Sequence, residues 1–443
     1  MTDTTRRAPD METIVSLAKR RGFVFPGSEI YGGLAGTFDY GPFGVTLKNN
    51  IKQLWWRMFV DARDDMYGVD AAILMNSKVW EASGHISGFS DPLVECEKCK
   101  RRFRGDHLDD VEKCPECGGK LGAERQFNMM FQTHAGAAED ESGVVYLRPE
   151  TAGGIFANFK NVVDTLHPKL PFGIAQIGKA FRNEIAPRDF IFRLRELEQM
   201  EVEYFVTPDD WERAFEEWRV VLHDFAAAVG LPEYMVHEFE ILPEDRAHYS
   251  KRTIDFEFDY PFGRKELWGL AYRGDFDLSA HTRGSGVDLK YNDEQKGEKF
   301  FPHVIEPSLG VDRTVLAVLL AAYRRDDIGE GGRVYLALPP AIAPVKAMVS
   351  PLLKNKPELV EKAREVYMSL KKEVPQISWD DNGNIGKRYR RQDEIGTPFC
   401  ITIDFDTLGE KQELKDTVTL RDRDSGEQER VSITELAARV RPL

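Results

Sequence analysis

Long apolar runs are missing from this chain. None of its 443 residues falls in a run of about 18 apolar residues, which excludes a membrane-spanning helix. The first residues, MTDTTRRAPDMETIV, carry no apolar core behind their arginines, so a secretory signal is not expected. Asp3 and Asp10 break the pattern of a mitochondrial presequence, and a cytoplasmic protein is the expectation. There is no G-x-x-x-x-G-K-[ST] loop and no G-x-G-x-x-G after a strand, so any nucleotide is bound without those phosphate cradles. An excess of positive charge is also lacking. The net charge of −14 argues against a general nucleic-acid binder. That charge is uneven: from Gly331 to Leu443 the net is near +1, and the rest carries near −15. A near-neutral tail on an acidic body suits small substrates in the body and local RNA contact in the tail.

What is present is ordinary for a globular protein: 42% apolar and 30% charged residues. The length accommodates two or three domains with cores of their own. METIVSLAKRRG predicts an amphipathic helix ending at Gly22, and a second, long amphipathic helix is predicted from about Val45. FGIAQIGKAF, TIDFEFDY and ELWGLAYRG read as strands. EEWRVVLHDFAAAVGL reads as a helix stopped by Gly230 and Pro232, and VDRTVLAVLLAAYRR as a buried helix. Strands in adjacent runs with few β-α-β alternations predict an α+β body, a mostly antiparallel sheet flanked by helices. After GEGGR (Gly329 to Arg333) strands alternate with helices: VYLALPP as a short buried strand, PELVEKAREVYMSLKKE as a helix, then PFCITIDF and a hairpin in TVTLRDRDSGEQERVSI. This predicts a small α/β domain with a mixed or parallel sheet.

Four of the five cysteines form two C-x-x-C knuckles, Cys96–Cys99 and Cys114–Cys117, with fourteen residues between the inner pair. Pro115 and Gly118-Gly119 supply tight turns that let amides face sulfurs. Four thiolates in two knuckles suit a tetrahedral structural zinc and leave no open position for catalysis. Disulfides are disfavoured in a reducing compartment. Cys400, in the apolar run FCITIDF, reads as a core strand residue.

The most informative stretch is Phe181 to Phe205, FRNEIAPRDFIFRLRELEQMEVEYF. Arg182 and Glu184 stand two apart before a loop with Pro187 and Arg188. From Phe192 to Glu198 charges alternate with bulky apolar residues, which predicts a strand with one charged face. Arginines on such a floor suit phosphate, because the planar fork matches phosphate oxygens. Interleaved carboxylates suit an ammonium or ribose hydroxyls. A solvated sheet face with paired surface charges is the plain alternative.

This segment resembles the second signature motif of class II aminoacyl-tRNA synthetases. With LRPETAGGIFANF, EPSLGVDR and YRGDFDL, it is similar to the homodimeric glycyl-tRNA synthetases. The similarity runs in the family's order from GFVFPGSEIYGG to RRQDEIGTPFCITIDFDT, nearly the whole chain. It implies a class II catalytic domain over residues 1–330, with a zinc-knuckle insertion over 93–122, and an anticodon-binding domain over 331–443. It implies a homodimer joined through the first motif, around the helix from Val45. It also implies the activity: glycine and ATP give glycyl-adenylate and pyrophosphate, and the glycyl group passes to the 3′-terminal ribose of tRNA(Gly). ATP, glycine, Mg2+ and tRNA(Gly) are the expected partners.

The resemblance also implies roles. Arg182 would meet the α-phosphate and the attacking carboxylate. Arg313 would stack on adenine and reach the γ-phosphate, Phe192 would cover the other adenine face or turn into the core, and Glu184 would meet the adenine amino group. Asn183, Arg193, Leu194, Arg195, Glu196 and Leu197 complete that nucleotide segment. Glu266 and Leu267 match the family's ATP and magnesium segment, and Gly310, Val311 and Asp312 lead into Arg313. For glycine, Glu150, Glu201 and Glu306 match an ammonium cage, and Ser308 stands where a larger side chain would begin. Leu197, Glu198, Gln199, Met200, Pro307, Leu309 and Gly310 line the same pocket, and Arg104 matches a substrate contact. A wall that excludes larger amino acids makes an editing domain unnecessary. In the tail, KRYRR (Lys387 to Arg391) is either an RNA contact or a solvated helix face. A synthetase-like accessory protein that has lost catalysis would lack the phosphate arginines, and Arg182, Arg188 and Arg313 are all present.

Overall fold

The computed structural model describes residues 9–108, 110–137, 143–247, 249–294, 296–327 and 332–441. Its centre is a seven-stranded sheet. The strand order is Val236–Glu240, Arg252–Tyr260, Gly263–Gly274, His303–Gly310, Glu196–Val206, Phe172–Phe181 and Met66–Gly68. Every pairing is antiparallel except the last, between Phe172–Phe181 and Met66–Gly68. The predicted mostly antiparallel sheet is therefore the architecture found.

Strand periodicity decides what each face carries. Met200, Val202, Tyr204 and Val206 face a layer of three helices, Pro42–Trp56, Trp211–Ala228 and Val311–Ala322. Aromatic rings fill that layer: Phe59 stacks on Trp55 at 4.9 Å and meets Trp218 and Phe225 at 5.6 and 5.5 Å. Truncating such a buried ring costs about 3–5 kcal/mol. Helix Pro42–Trp56 has its proline at the first turn, where no amide donor is needed, and runs on as a π-helical turn, Arg57–Asp61. On the other face, helix Ala152–Leu166 packs Phe156 and Phe159 against Phe172, Ile174 and Phe205. This second layer covers only one end of the sheet, and the rest of that face is the floor of a cleft.

Two expected elements differ. The alternating run Phe192 to Glu198 is not one strand, because the strand starts at Glu196. Asp189 and Phe190 both take positive φ, +61° and +58°, and turn the chain off the ladder. Phe190–Phe192 then forms a single 3-10 turn that buries Ile191 and Phe192. The helix in VDRTVLAVLLAAYRR stops at Ala322. Tyr323–Asp326 becomes a strand paired with Arg333–Leu336, the strand expected in VYLALPP, and the Arg324 guanidinium donates to the Ala321 carbonyl at the break. Leu336, Leu338, Ile342 and Ala343 pack into the core of the body. The expected boundary at 330/331 lies outside the described residues.

A separate core begins at Ala347. Its five strands run in the order Ile377–Trp379, Ala347–Pro351, Phe399–Ile403, Thr417–Asp422, Gln428–Ser432, two pairings parallel and two antiparallel. Helix Pro357–Glu373 covers it with Leu359, Ala363, Val366 and Leu370. Cys400 is a buried strand residue, as read from its apolar run. The KRYRR segment lies on helix Ile385–Ile395, and its arginines turn inward. Arg388 is buried and donates to Ser350 Oγ and to the carbonyls of Pro351, Asp381 and Gly383. Arg391 grips Asp380 at 2.9 Å through two nitrogens. The helix is stapled to the sheet, and only Lys387 of the five is fully exposed. Arg388→Ala should therefore lower the stability of this unit by about 3 kcal/mol or more, since it strands several buried acceptors. Chemical denaturation measures this, and a variant that lost tRNA affinity at unchanged stability would return Arg388 to RNA reading.

Candidate active site

The cleft has two ends. At the first, guanidinium groups crowd together. Arg182 begins the loop after strand Phe172–Phe181 and donates through Nε to the Pro149 carbonyl at 3.1 Å. Neither of its Nη atoms has a protein hydrogen bond among the described residues, so the fork is open to an anion. Burial disfavours the charged form of Arg193, and Arg104, Arg188 and Arg313 add repulsion that Glu184 only partly relieves. Glu184 is buried, one of its oxygens has no hydrogen bond, and Arg193 stands 3.9 Å away. Arg313 lies in the first turn of helix Val311–Ala322. Its guanidinium carbon sits 4.4 Å from the centre of the Phe192 ring, and Nη1 donates to the Glu266 carboxylate at 2.9 Å. Phe192 packs its edge on Tyr260 and Phe262, each at 5.0 Å. Glu266 stands opposite Glu257 on the neighbouring strand. Burial, Glu266 and Glu257 together push the nearby Asp255 carboxyl up to about 7. Three carboxylates that repel one another thus stand beside the arginine cluster.

At the second end, carboxyls dominate. The register lays Gln176, Glu201, Ser308 and Gly269 in one row across four strands. Glu201 accepts from Ser308 Oγ at 2.7 Å and from Thr151 Oγ1. The space above Gly269 is open, since a Cβ there would meet nothing within 4 Å. Glu306 is ion-paired to Arg273, which also makes a two-pronged contact with Asp277 at 2.7 and 2.8 Å. The Tyr249 ring lies 3.8 Å from the Arg273 guanidinium carbon. Glu150 stands 3.4 Å from His85, whose Nδ1 meets Ser83 Oγ at 2.8 Å. Burial raises the Glu150 carboxyl, but His85, Arg273 and Arg182 outweigh it and hold it at about 2. Burial pushes Glu306 up to about 8 against the pull of Arg273, with Glu201 and Glu150 adding to the rise. An anionic pocket of this size can take a small cation.

Not every residue named from the motifs faces this cleft. Strand alternation sends the Glu198 side chain to the helix layer, where it pairs with Lys48 and Lys52 at 2.7 and 2.9 Å. Met200, Leu309 and Val311 are buried in that same core. Asp312 accepts from the Tyr40 hydroxyl and from the Glu198 amide at 2.8 Å, so it ties the helix to the sheet. Arg195 clasps the carbonyls of Ala35 and Glu184, Glu196 pairs with Lys179 at 2.8 Å, and Leu194 and Leu267 are buried. Asn183 lies beside Arg195 and Arg125 in a side hollow, and its amide donates to the Met129 carbonyl. Arg104 pairs with Asp91 and Asp106, and none of the three glutamates is among its partners. Leu197, Gln199, Ser308 and Gly310 line the cleft, as do the buried Leu194 and Leu267, and Glu198 and Asp312 border it, with Pro307 next to Ser308 in the strand. Arg273, Asp277, Thr151, His85 and Glu203 were not anticipated. YRGDFDL contains Arg273 and Asp277 four apart, which is helical spacing for a pair, yet only the sheet register joins them to Glu306.

Beside the arginine end, the three-stranded sheet Arg102–Arg104, Ser90–Glu95, Arg125–Asn128 carries the cysteine knuckles. The four sulfurs lie within 4.8 Å of one another, with Cys96–Cys117 and Cys99–Cys114 separations of 3.6 and 3.7 Å. A tetrahedron with metal–sulfur bonds of about 2.3 Å has edges of about 3.8 Å. The Cys99 amide, donating to Cys96 Sγ, leads the contacts that pull the Cys96 thiol down to about 6. The cluster can hold a metal ion.

An antiparallel floor with an arginine cluster at one end and a carboxylate pocket at the other defines a class II aminoacyl-tRNA synthetase body. The family model described as tRNA synthetase class II core domain (G, H, P, S and T) matches residues 131–322, and one described as anticodon binding domain matches 346–443. Giardia lamblia prolyl-tRNA synthetase, solved with prolyl-adenylate, shares the fold at a TM-score of 0.69. The identity is 16%, over 98% of this chain and 78% of that one. The glycine–tRNA ligase of Alkaliphilus oremlandii is 51% identical over 96% of each chain. That of Caldanaerobacter subterraneus is 49% identical, again over 96% of both. Geobacillus kaustophilus glycine–tRNA ligase is 48% identical over 97% of this chain and 98% of its own. The chain belongs to the glycine–tRNA ligase family.

The raised Glu306 carboxyl has a consequence for stability. The folded protein keeps a proton that the unfolded chain, near 4.5, gives up, so ionisation of this group opposes folding. Its contribution is full below about 4.5 and is lost as pH rises through about 8. The ligand-free protein should lose thermal stability between pH 6 and 9, and Glu306→Gln should flatten that slope. Scanning calorimetry across the range measures both, and parallel slopes in the two proteins would contradict it.

Proposed function

We propose that this chain charges tRNA(Gly) with glycine. ATP and glycine form glycyl-adenylate and pyrophosphate on the body, and the glycyl group moves to the terminal ribose of the tRNA. The observation that carries the reading is the meeting, on one sheet, of an open guanidinium cluster with a carboxylate pocket floored by glycine. The open fork of Arg182 suits the α-phosphate and the attacking carboxylate, where repulsion between two anions must be relieved. Arg193 and Arg313 neutralise the outer phosphates. Phe192 and Arg313 embrace the adenine, and the unpaired Glu184 oxygen accepts from its amino group. Glu150, Glu201 and Glu306 surround the ammonium of glycine, and the buried, unpaired side-chain carbonyl of Gln199 offers it a further acceptor. Ser308 closes the side on which another amino acid carries its substituent, and it also orients Glu201. Rejection by a wall needs no second sieve.

Around this centre the remaining roles follow from the resemblance to the family. Residues 1–330 act as the catalytic domain, with 93–122 as its insertion, and 331–443 read the anticodon. Glu266, in the segment that matches the family's ATP and magnesium residues, meets Mg2+ at the triphosphate. Cys96, Cys99, Cys114 and Cys117 hold Zn2+ as a structural ion. Two copies join around helix Pro42–Trp56, and in the turn that precedes it in the chain Ile30 and Tyr31 are left 89% and 87% exposed, a cost that a partner surface would remove. The protein works in the cytoplasm. No described helix is long and apolar enough to cross a membrane.

Arg182→Ala should abolish glycine-dependent pyrophosphate exchange with the fold intact, a loss on the order of 3 kcal/mol or more in transition-state stabilisation. Exchange within a few-fold of wild type would remove Arg182 from the reaction. Cys96→Ser should lower bound zinc and the stability of the insertion, because metal binding energy is folding energy there. Metal analysis with limited proteolysis reads this, and a zinc-free wild type indifferent to chelators would dismiss the site.

A further inference from the structure

One carboxyl of the floor has no partner. Glu203 is fully buried, and neither of its oxygens makes a hydrogen bond. It follows Glu201 by two residues and therefore lies on the same face. Glu201 stands opposite Ser308 and Tyr204 opposite Ile305, so the register sets Glu203 directly across from Glu306. Like charges directly opposed on neighbouring strands destabilise a sheet, and in a dry site they do so strongly. The groups around the pair do not offset two charges. Strand Gly263–Gly274 supplies Arg273, already held by Asp277 of helix Phe276–Ser285 and by Glu306. Glu201 and Glu150 add negative charge, and the Tyr249 hydroxyl and His281 are the other titratable groups nearby. On its other side Glu203 meets Ile174, and helix Ala152–Leu166 packs Ile155, Phe156 and Phe159 into the core there.

We propose that Glu203 and Glu306 share one proton beneath the amino-acid pocket, and that Glu203 is a positioning residue whose O–H donates to Glu306. Once Glu306 has given up its own proton, the shared proton stays covalently on Glu203, which has no cation of its own, and the Glu306 carboxylate stays on Arg273. No bond to substrate is formed or broken by the pair. The pair then carries one negative charge in place of two, and Glu306 is fixed from below by a donor and from the side by a guanidinium. Burial acts in the same direction, holding the Glu203 carboxyl well above the ordinary carboxylate range with Glu306 reinforcing it. The inference deepens the proposed glycine pocket and rests on that reading for its kinetic arm alone.

Infrared difference spectroscopy on the whole protein tests the proton directly. At about pH 9.5, above the titration of Glu306, the wild type should show the C=O stretch of a protonated carboxylic acid, and Glu203→Gln and Glu203→Ala should both lose that band. In glycine-dependent pyrophosphate exchange, Glu203→Ala should raise the glycine KM about tenfold with a smaller change in kcat, because Glu306 loses its donor. Glu203→Gln, which keeps a neutral donor of the same shape, should recover most of that loss. A wild type without the acid band at about pH 9.5 overturns the proposal, as does a glutamine variant as impaired as the alanine one. If Glu203→Ala fails to fold, the spectrum and kinetics of wild type against Glu203→Gln still decide. A wild type that exchanges no pyrophosphate with glycine would defeat the functional reading, while the infrared band would still report on the proton.

Discussion

Five carboxyl groups gather around one buried guanidinium, that of Arg273: Glu201, Glu203, Glu306 and Asp277 are buried, and Glu150 is nearly so. Removing an ionised carboxylate from water costs several kcal/mol unless hydrogen bonds and opposite charge replace the lost hydration. Arg273 meets that need for two of the five, Ser308 and Thr151 meet it for Glu201, and His85 meets it for Glu150. The anionic pocket exists only because these partners hold. The Arg273 position is itself set by its place two residues beyond Ala271, the residue opposite Glu306. The chemistry of the carboxylate end thus depends on strand register more than on any single side chain.

The same register explains why one strand can serve two layers. Along Glu196–Val206, alternate residues carry opposite duties. Leu197, Gln199 and Glu201 face the cleft, while Glu198 and Met200 face the helices. Glu198 is not idle there. With Lys48, Lys52, Asp312 and Tyr40 it forms a charged seam that pins helix Pro42–Trp56 and the start of helix Val311–Ala322 to the strand. Arg313 is the next residue after Asp312. The seam on the far side of the sheet therefore fixes the helix that presents an arginine on the near side.

Much of this was legible from residue pattern. Period-two runs such as TIDFEFDY marked strands because one face of the sheet is packed with aromatics, and the C-x-x-C spacing marked a sulfur cluster because a tetrahedron demands it. The alternation from Phe192 to Glu198 misled for a physical reason. Charge and apolar residues alternate there, but two consecutive left-handed residues precede the run and fold its start into a turn. Arg388 was ambiguous because a basic helix face looks alike whether it meets RNA or its own sheet, and only the carbonyls of Pro351, Asp381 and Gly383 decide. Glu203 was invisible as a special residue. Its isolation comes from what five separate segments fail to bring near it, and no local pattern records an absence.

Arg313 rests on the face of Phe192, 4.4 Å from the ring centre. Two stacked contacts with a flat base between them need roughly 7 Å, since each stacking layer takes about 3.5 Å. If Arg313 and Phe192 take the adenine between them as proposed, a base that enters must first part this pair and loosen Arg313 from Glu266. The work of opening is subtracted from the affinity of every nucleotide, but the return differs with the ligand. A bare nucleoside recovers only the stacking it displaced, whereas a triphosphate also gathers Arg182 and Arg193. The contact thus behaves as a threshold that favours ligands carrying both base and phosphates, and it filters them before any reaction begins.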